Sequence, residues 1–320
     1  MTLRTFLVTG AAGFIGSHSV DRLLDQGHRV IGVDNLRTGY LHNLSQAQFS
    51  PQFTFVDADV RNESAMRQLF KRYKFSGVLH LAALVSVPES FENPALNYCT
   101  NVTATDLLAR LCVDYDCKRV VFASSSAVYG NNKELPNRES AHPQPLSPYA
   151  AAKLAAEIML LGYGACYDLE VVCLRYFNVY GLRQDPSSPY SGVLSIFIER
   201  YQAGLPVIVF GDGEQTRDFV SVHDVARINC QALTAETITI GHYNVCTGNA
   251  LSLNQVLAFC KRVYPNAPNP QYDKPRIGDV RHSVGDPKLL ERVLSLKAKI
   301  PFEEGLRVLI NMHKKTHKST

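Results

Sequence analysis

Gly10-Ala11-Ala12-Gly13-Phe14-Ile15-Gly16 is the stretch on which the fold turns. An apolar run over residues 3–9 leads into it, a helical pattern over 17–26 leads out, and after Gly27 a second apolar run ends in Asp34. Each part has a task in holding a dinucleotide. Gly10 permits the tight turn off a strand, Gly13 lets backbone approach a pyrophosphate, and Gly16 lets a helix pack closely on the sheet. The helix offers its unpaired N–H groups and positive dipole end to the phosphates, and Phe14 and Ile15, within the same loop, join the cofactor contacts. Asp34, at the end of the second strand, suits bidentate hydrogen bonding to a ribose diol. An aspartate there repels a 2′-phosphate, and Asn35 follows it rather than an arginine. The cofactor expected is therefore NAD, not NADP.

The rest of the composition narrows the class. A chain of 320 residues is long enough for one large domain, or for two that share a cleft. The hydrophobic share of 46% and charged share of 19% are those of a globular protein, not a disordered one. No apolar run approaches a membrane span, and the N-terminus enters a strand with no signal-like segment before it. None of the eight cysteines forms a Cys-x-x-Cys pair, and most sit in apolar runs. Buried reduced thiols in a cytoplasmic protein are expected, with no metal site and no disulfides. The net charge of +4 is mild, and its excess lies largely in the tail His313-Lys314-Lys315-Thr316-His317-Lys318. That tail reads as a solvated terminus, so neither nucleic acid nor membrane is an expected partner.

Apolar runs alternate with helical ones along the chain, which predicts an α/β fold with a doubly wound parallel sheet. A third strand over 53–56 is followed by Asp57-Ala58-Asp59-Val60. Ligands collect at that edge of such sheets, so Asp59 is placed either to receive an adenine amino group or to cap the helix that starts near Asn62. Val60 lies beside it. A fourth strand over 77–80 opens into Leu81-Ala82-Ala83, small residues that let backbone lie against a cofactor. From Asn93-Pro94 a helical pattern runs to about Tyr115, with Val102, Leu107, Leu108 and Leu111 on one stripe. Asn101, polar on that helix, is either a hydrogen-bond donor behind the cofactor or simply exposed.

The fifth strand, over 119–123, ends in Ser124-Ser125-Ser126-Ala127-Val128-Tyr129-Gly130. Buried hydroxyls need partners, so three at the ligand edge of a strand stand out. A proline-rich loop then leads to Tyr149-Ala150-Ala151-Ala152-Lys153, which reads as helix. Residues four apart share a face about 6 Å apart along the axis, so Tyr149 and Lys153 point the same way. A phenol ordinarily titrates near pH ~10; an ammonium and a nicotinamide cation nearby favour the phenolate and make the tyrosine a base.

Taken together, the Gly10–Gly16 loop, Asp34, the serine-bearing strand end with Tyr129-Gly130, and Tyr149 with Lys153 resemble the extended short-chain dehydrogenase/reductase superfamily. More narrowly they resemble its NAD-dependent nucleotide-sugar epimerases and dehydratases. The likeness continues through Arg175-Tyr176-Phe177-Asn178-Val179-Tyr180-Gly181, through Gly211-Asp212-Gly213-Glu214-Gln215-Thr216-Arg217-Asp218-Phe219-Val220, and through Arg276-Ile277-Gly278-Asp279. It implies a Rossmann domain over 1–177, also using parts of 218–246, and a smaller mixed α/β substrate lobe over 178–320. It makes Tyr149 the catalytic base, Lys153 its modifier and a ribose ligand, and Ser125 the hydroxyl that holds the reacting sugar oxygen. Tyr176 joins the cofactor contacts and Ser126 and Phe210 the substrate contacts. Asn178 is implied to bind the nucleotide diphosphate, Arg217 and Arg276 its phosphates, and Asp279 its ribose. A surface ion pair with Asp218 is the alternative for Arg217.

Within that family, dehydratases and UDP-glucuronate decarboxylases resemble one another in having a carboxylate at the strand end, where this chain has Ser126 and Ala127. What the resemblance then implies is a 4-epimerase of UDP-hexoses working through a 4-keto sugar; a UDP-glucuronate 4-epimerase or another nucleotide-sugar enzyme is the alternative, and a non-catalytic NAD-binding scaffold is a more distant one. UDP-glucuronate epimerases tend to carry threonine in place of Asn178, which weighs against that branch. One departure is Val85, where UDP-galactose epimerases typically have lysine. Seven residues beyond Arg276 stands Ser283, small where epimerases restricted to UDP-glucose and UDP-galactose have tyrosine. That points to the 2-acetamido sugars, with Ser86 either hydrogen-bonding the acetamido group or making a turn. Helices around 94–116 and 149–166 are expected to pair with their copies in a homodimer, as in relatives of this family.

Overall fold

Strands rich in valine, isoleucine and phenylalanine, separated by amphipathic helices, can bury themselves only as a sheet covered on both faces. The computed structural model describes residues 3–185, 192–275 and 280–316. The chain opens with β1 (Thr5–Thr9), α1 (Phe14–Asp25), β2 (Arg29–Asp34), β3 (Phe53–Asp57), α2 (Glu63–Arg72) and β4 (Gly77–His80). It continues through α3 (Val87–Glu92), α4 (Pro94–Tyr98), α5 (Ala104–Asp114), β5 (Arg119–Ser125), α6 (Pro148–Cys166) and β6 (Glu170–Tyr176). Beyond β6 come β7 (Asn178–Tyr180), α7 (Val193–Gln202), β8 (Ile208–Phe210), β9 (Thr216–Ser221), α8 (Val222–Thr234) and β10 (Gly241–Val245). The last elements are β11 (Ala250–Ser252), α9 (Leu253–Val263), β12 (Gln271–Asp273), β13 (His282–Ser283), α10 (Lys288–Leu294) and α11 (Phe302–Thr316).

Seven strands form one parallel sheet in the order β10-β6-β5-β4-β1-β2-β3. Side chains alternate across it. Phe6 and Val8 of β1 join Val20, Leu23, Val225 and Ile228 in one buried layer, under α1 and α8. Leu7 joins Met66, Leu107, Leu111 and Leu160 in the other, under α2, α5 and α6. The chain runs outward from β1 to β3 and then returns to place β4 on the other side of β1. At that reversal the loops after β1 and β4 part, and a crevice opens at the strand ends.

Two later elements return to this sheet. Strand β10 pairs with β6 at its edge, and α8 lies on α1, where Asn229 Nδ2 donates to Ser19 Oγ at 3.4 Å. The remaining short strands build a second sheet in which β9 pairs with β7, β11 and β13. A separate core backs it, with Phe197, Ile198, Val256, Leu257, Leu309 and Ile310.

The helical pattern from Asn93 is not one uniform helix. Between α4 and α5 the segment Cys99–Thr103 widens into a π-turn. All eight cysteines are free thiols; only Cys99 and Cys166 are exposed. Among the described residues, no helix is long and apolar enough to cross a membrane.

Candidate active site

The crevice is a cavity of about 400 Å³ along the C-terminal ends of the sheet strands. It brings together Gly10, Gly13, Phe14, Ile15 and Gly16 with Asp34 and Asn35 after β2, and with Asp59 and Val60 after β3. Leu81, Ala82 and Ala83 line it from β4, and Ser125, Tyr149, Lys153 and Tyr176 close its far end. Tyr176 presents its ring; its hydroxyl donates to Asn229 Oδ1 at 2.7 Å, away from the cavity.

The glycines show what the cavity fits. Gly10 has φ +69°, and a Cβ there would lie 2.8 Å from the Ala82 nitrogen. A Cβ on Gly16 would lie 1.9 Å from the Gly10 carbonyl oxygen, so α1 approaches the loop more closely than any side chain allows. Gly13 differs: a Cβ there meets only the Gly10 oxygen, at 3.1 Å, and otherwise faces open space. That bare backbone at the start of α1 is the cradle a pyrophosphate needs. Asp34 is held in place by the Ala12 and Leu36 N–H groups, each 2.9 Å from its carboxylate. Burial raises its pKa, and those backbone hydrogen bonds oppose the rise.

Asp59 is not the helix cap. Asn62 caps α2, its Oδ1 accepting from the Ala65 N–H. Asp59 instead accepts from Arg61 at 2.9 and 2.7 Å and from Asn35 Nδ2 at 2.9 Å. Hydrogen bonding to the Arg61 guanidinium, chiefly, pulls its carboxyl down to about 2, so an ionised acceptor lines the cavity there. Asn101 is neither exposed nor on the cavity wall. From inside the π-turn it accepts from the Leu84 N–H at 2.9 Å and donates to the Leu84 carbonyl at 3.0 Å, pinning the loop that follows β4.

Two features of the rim had no sequence signal. Arg37, in the loop after β2, pairs with Glu89 of α3. Tyr40, three residues on, donates its hydroxyl to Asp185 Oδ2 at 2.6 Å. The loop is thereby tied down on both sides of the cavity. Beneath β4, His80 bridges Thr9 Oγ1 at 2.7 Å and Thr105 Oγ1 at 3.0 Å, while Thr9 Oγ1 accepts from the Ala82 N–H at 3.2 Å. Burial, and secondarily the Lys153 charge, push its pKa down to about 3, so it is a neutral bridge.

At the far end, Ser125 and Tyr149 line the cavity together, and Ser125 Oγ accepts from the Ala127 N–H at 3.2 Å. Lys153 shares the face of α6 with Tyr149. Its ammonium donates to the Ala123 carbonyl at 2.9 Å and lies 4.8 Å from the Phe122 ring centroid. Burial brings its pKa down to about 7. Burial raises the Tyr149 pKa, and the neighbouring Ser125 hydroxyl opposes the rise.

Of the residues assigned to substrate, Ser86, Ser126, Asn178, Phe210, Arg217 and Ser283 do not line this cavity. Asn178, Arg217 and Ser283 sit on adjoining strands of the second sheet, with Ser283 in register with Arg217 and Asn178 in register with Phe219. Phe177 and Val179, rather than Asn178, line the cavity. Phe210 belongs to the separate β8–β12 ladder, opposite Asp273. Arg217 Nη1 donates to the Thr216 carbonyl at 2.9 Å. Its neighbour Asp218 is fully buried, accepting from the Thr247 and Gly248 N–H groups at 2.9 Å and from the Thr247 hydroxyl at 2.7 Å. Ser86 is buried and caps α3, its Oγ accepting from the Glu89 N–H at 2.9 Å; of its two readings, this is the turn. Ser126 is half-buried in the turn after β5 and does not line the cavity, whereas Val85 does. Arg276 and Asp279 lie outside the described residues.

Comparison with known proteins agrees with this geometry. The model of the family described as "NAD dependent epimerase/dehydratase family" matches residues 6–246. A UDP-glucose 4-epimerase of Mycolicibacterium smegmatis is 38% identical over 304 residues, covering 94% of this chain and 95% of the relative. Among solved structures, UDP-glucose 4-epimerase from Thermotoga maritima, with UDP-glucose, is 38% identical with a TM-score of 0.93, covering 98% of this chain and 99% of the other. UDP-N-acetylglucosamine 4-epimerase from Methanobrevibacter ruminantium, in complex with UDP-N-acetylmuramic acid, is 36% identical with a TM-score of 0.93, covering 99% and 100%. A glycine cradle at the topological switch point, a serine–tyrosine–lysine cluster beside it and a match across most of the length lead to one conclusion: the chain belongs to the NAD-dependent epimerase/dehydratase family.

Proposed function

We propose that this protein is an NAD-dependent 4-epimerase of UDP-hexoses, acting most readily on the pair UDP-N-acetylglucosamine and UDP-N-acetylgalactosamine. The observation that carries the reading is that Ser125, Tyr149 and Lys153 are brought together at the end of the cavity, beside a strand end with no carboxylate. Glu157 lies beneath Ser124 but is buried and ion-paired with Arg175, so it is not an acid open to substrate. Eliminating water or carbon dioxide needs further acid–base groups; inverting a carbinol needs one base and a reversible redox partner.

In this reading, bound NAD supplies a hydride acceptor that returns the same hydride. Tyr149, as phenolate, takes the proton of the C4 hydroxyl while Ser125 holds the oxygen. The 4-keto sugar then turns about its diphosphate and presents its other face, and Tyr149 returns the proton. Residues 1–177, with parts of 218–246, hold the cofactor, and 178–320 mainly hold the nucleotide sugar, with Asn178, Arg217, Arg276 and Asp279 on its UDP part. Helix α6 exposes Ala151, Ala155, Ile158, Gly162 and Cys166 along one side. That small, apolar stripe suits pairing with a second copy, so a homodimer is the expected mass in sedimentation.

The names of relatives point mostly to UDP-glucose, with UDP-glucuronate named for one and UDP-N-acetylglucosamine for the Methanobrevibacter ruminantium structure. Ser283 favours the acetamido sugars, because a small residue leaves the space such a group needs. Filling it by Ser283→Tyr is expected to lower kcat/KM for UDP-N-acetylglucosamine relative to UDP-glucose by about 10- to 200-fold, the range of a steric clash of roughly 1–3 kcal/mol. The same ratio in wild type and variant would remove Ser283 as the determinant and leave the substrate an unspecified UDP-hexose.

A further inference from the structure

We infer that Glu157 and Arg175 are positioning residues that set the Tyr149 phenol against the Ser125 hydroxyl; the inference rests on Tyr149 being the base. Tyr149, Lys153 and Glu157 follow one another at intervals of four on the inner face of α6. Two of them are fastened to consecutive residues at the end of β5: Lys153 donates to the Ala123 carbonyl, and Glu157 Oε2 accepts from the Ser124 hydroxyl at 2.6 Å. Tyr149 lines the cavity together with the next residue, Ser125. The rung at Glu157 is the one that extends further. Arg175 grips the same carboxylate with Nε at 3.1 Å and Nη2 at 2.5 Å, and it stands on β6 in register with Ser124. One buried point therefore joins a helix to two neighbouring strands.

The network then runs behind the serine turn. Arg175 Nη1 donates to the Tyr129 hydroxyl at 2.9 Å, and that hydroxyl donates to Asn244 Oδ1 of β10 at 2.6 Å. Tyr129 closes the 3₁₀ turn Ser126–Tyr129, whose first N–H groups include the one bonded to Ser125. Glu157, Arg175, Tyr129 and Asn244 do not line the cavity, so they act on the reaction only through Ser125 and Tyr149. Both partners of the ion pair are almost wholly buried, at 1% and 2% side-chain exposure. A pair so deep gains little stability over apolar residues of the same volume. What the fork of two hydrogen bonds adds is direction, which fixes where α6 sits along β5.

The test separates placement from folding. Glu157→Gln alone strands a buried guanidinium and risks the fold, so the informative variants are the double Glu157→Leu/Arg175→Met and the single Arg175→Lys. The double variant removes both charges together; Arg175→Lys keeps the charge and gives up the planar fork. Both are to be purified, assayed for tightly held NAD after denaturation, and run with UDP-glucose and with UDP-N-acetylglucosamine over a range of concentrations that yields kcat and KM. The expected result is wild-type NAD content and a KM within about twofold, with kcat reduced about 10- to 100-fold in the double variant and less in Arg175→Lys, as misplacement of a reacting group by a remote change produces. Wild-type kcat in both variants, or a raised KM at unchanged kcat, would overturn the inference. Should Tyr149→Phe retain activity, the assignment of the base has failed instead. If the double variant does not fold, Arg175→Lys alone decides.

Discussion

Tyr149→Phe is expected to lower kcat by about 10²-fold or more, the range of a positioned general base, with NAD still bound. The substitution removes the hydroxyl and leaves the ring in its place against the cavity, beside Ser125. Cofactor retention depends on other groups, the glycine cradle, Asp34 and Lys153. NAD released on denaturation should therefore match wild type. Ser125→Ala is expected to lose less, since it removes a hydrogen bond to the sugar oxygen but leaves the base. A Phe variant with near-normal turnover would show that another group accepts the proton.

Gly13→Ala and Gly16→Ala are expected to part company, although they lie three residues apart in one loop. At Gly16 a methyl would sit 1.9 Å from a backbone oxygen and 2.8 Å from a backbone carbon, neither of which can yield without moving the loop. Overpacking of this kind costs about 1–3 kcal/mol or more, and it is present with or without cofactor. The melting temperature of the NAD-free protein should fall. At Gly13 the protein offers one contact, at 3.1 Å, and the rest of the space is the cavity. The NAD-free protein should keep its melting temperature closely, while NAD affinity falls by roughly 10- to 200-fold, the equivalent of the same ~1–3 kcal/mol. Melting curves of the stripped proteins and titration with NAD distinguish the two. Equal loss of stability in both would mean that Gly13 is shaped by packing and not by an approaching phosphate.

What could be read from the sequence was local. The spacing of Gly10, Gly13 and Gly16, the acid ending β2, and the interval of four between Tyr149 and Lys153 are set within one turn or one strand. Each lands where that spacing puts it. Asn101 was ambiguous because the apolar stripe of Val102, Leu107, Leu108 and Leu111 runs unbroken past the π-turn, so the periodicity gives no sign of the wider turn that buries it. Ser86 carried a usable sign: serine, then Pro88, then Glu89 three residues on is how a short helix starts. The Arg37–Glu89, Tyr40–Asp185 and Glu157–Arg175 contacts had none, since each joins residues that only the sheet order brings together.

The most direct measurement is NMR of the product formed in deuterated water from UDP-N-acetylglucosamine, and separately from UDP-glucose, by protein to which no NAD has been added. A base that exchanges protons only at O4, beside a hydride that leaves and returns, should give the 4-epimer with its C4 hydrogen still protium. Deuterium at C4, a product that has lost water, or no conversion until NAD is supplied would contradict an epimerase that keeps its cofactor and moves one hydride out and back.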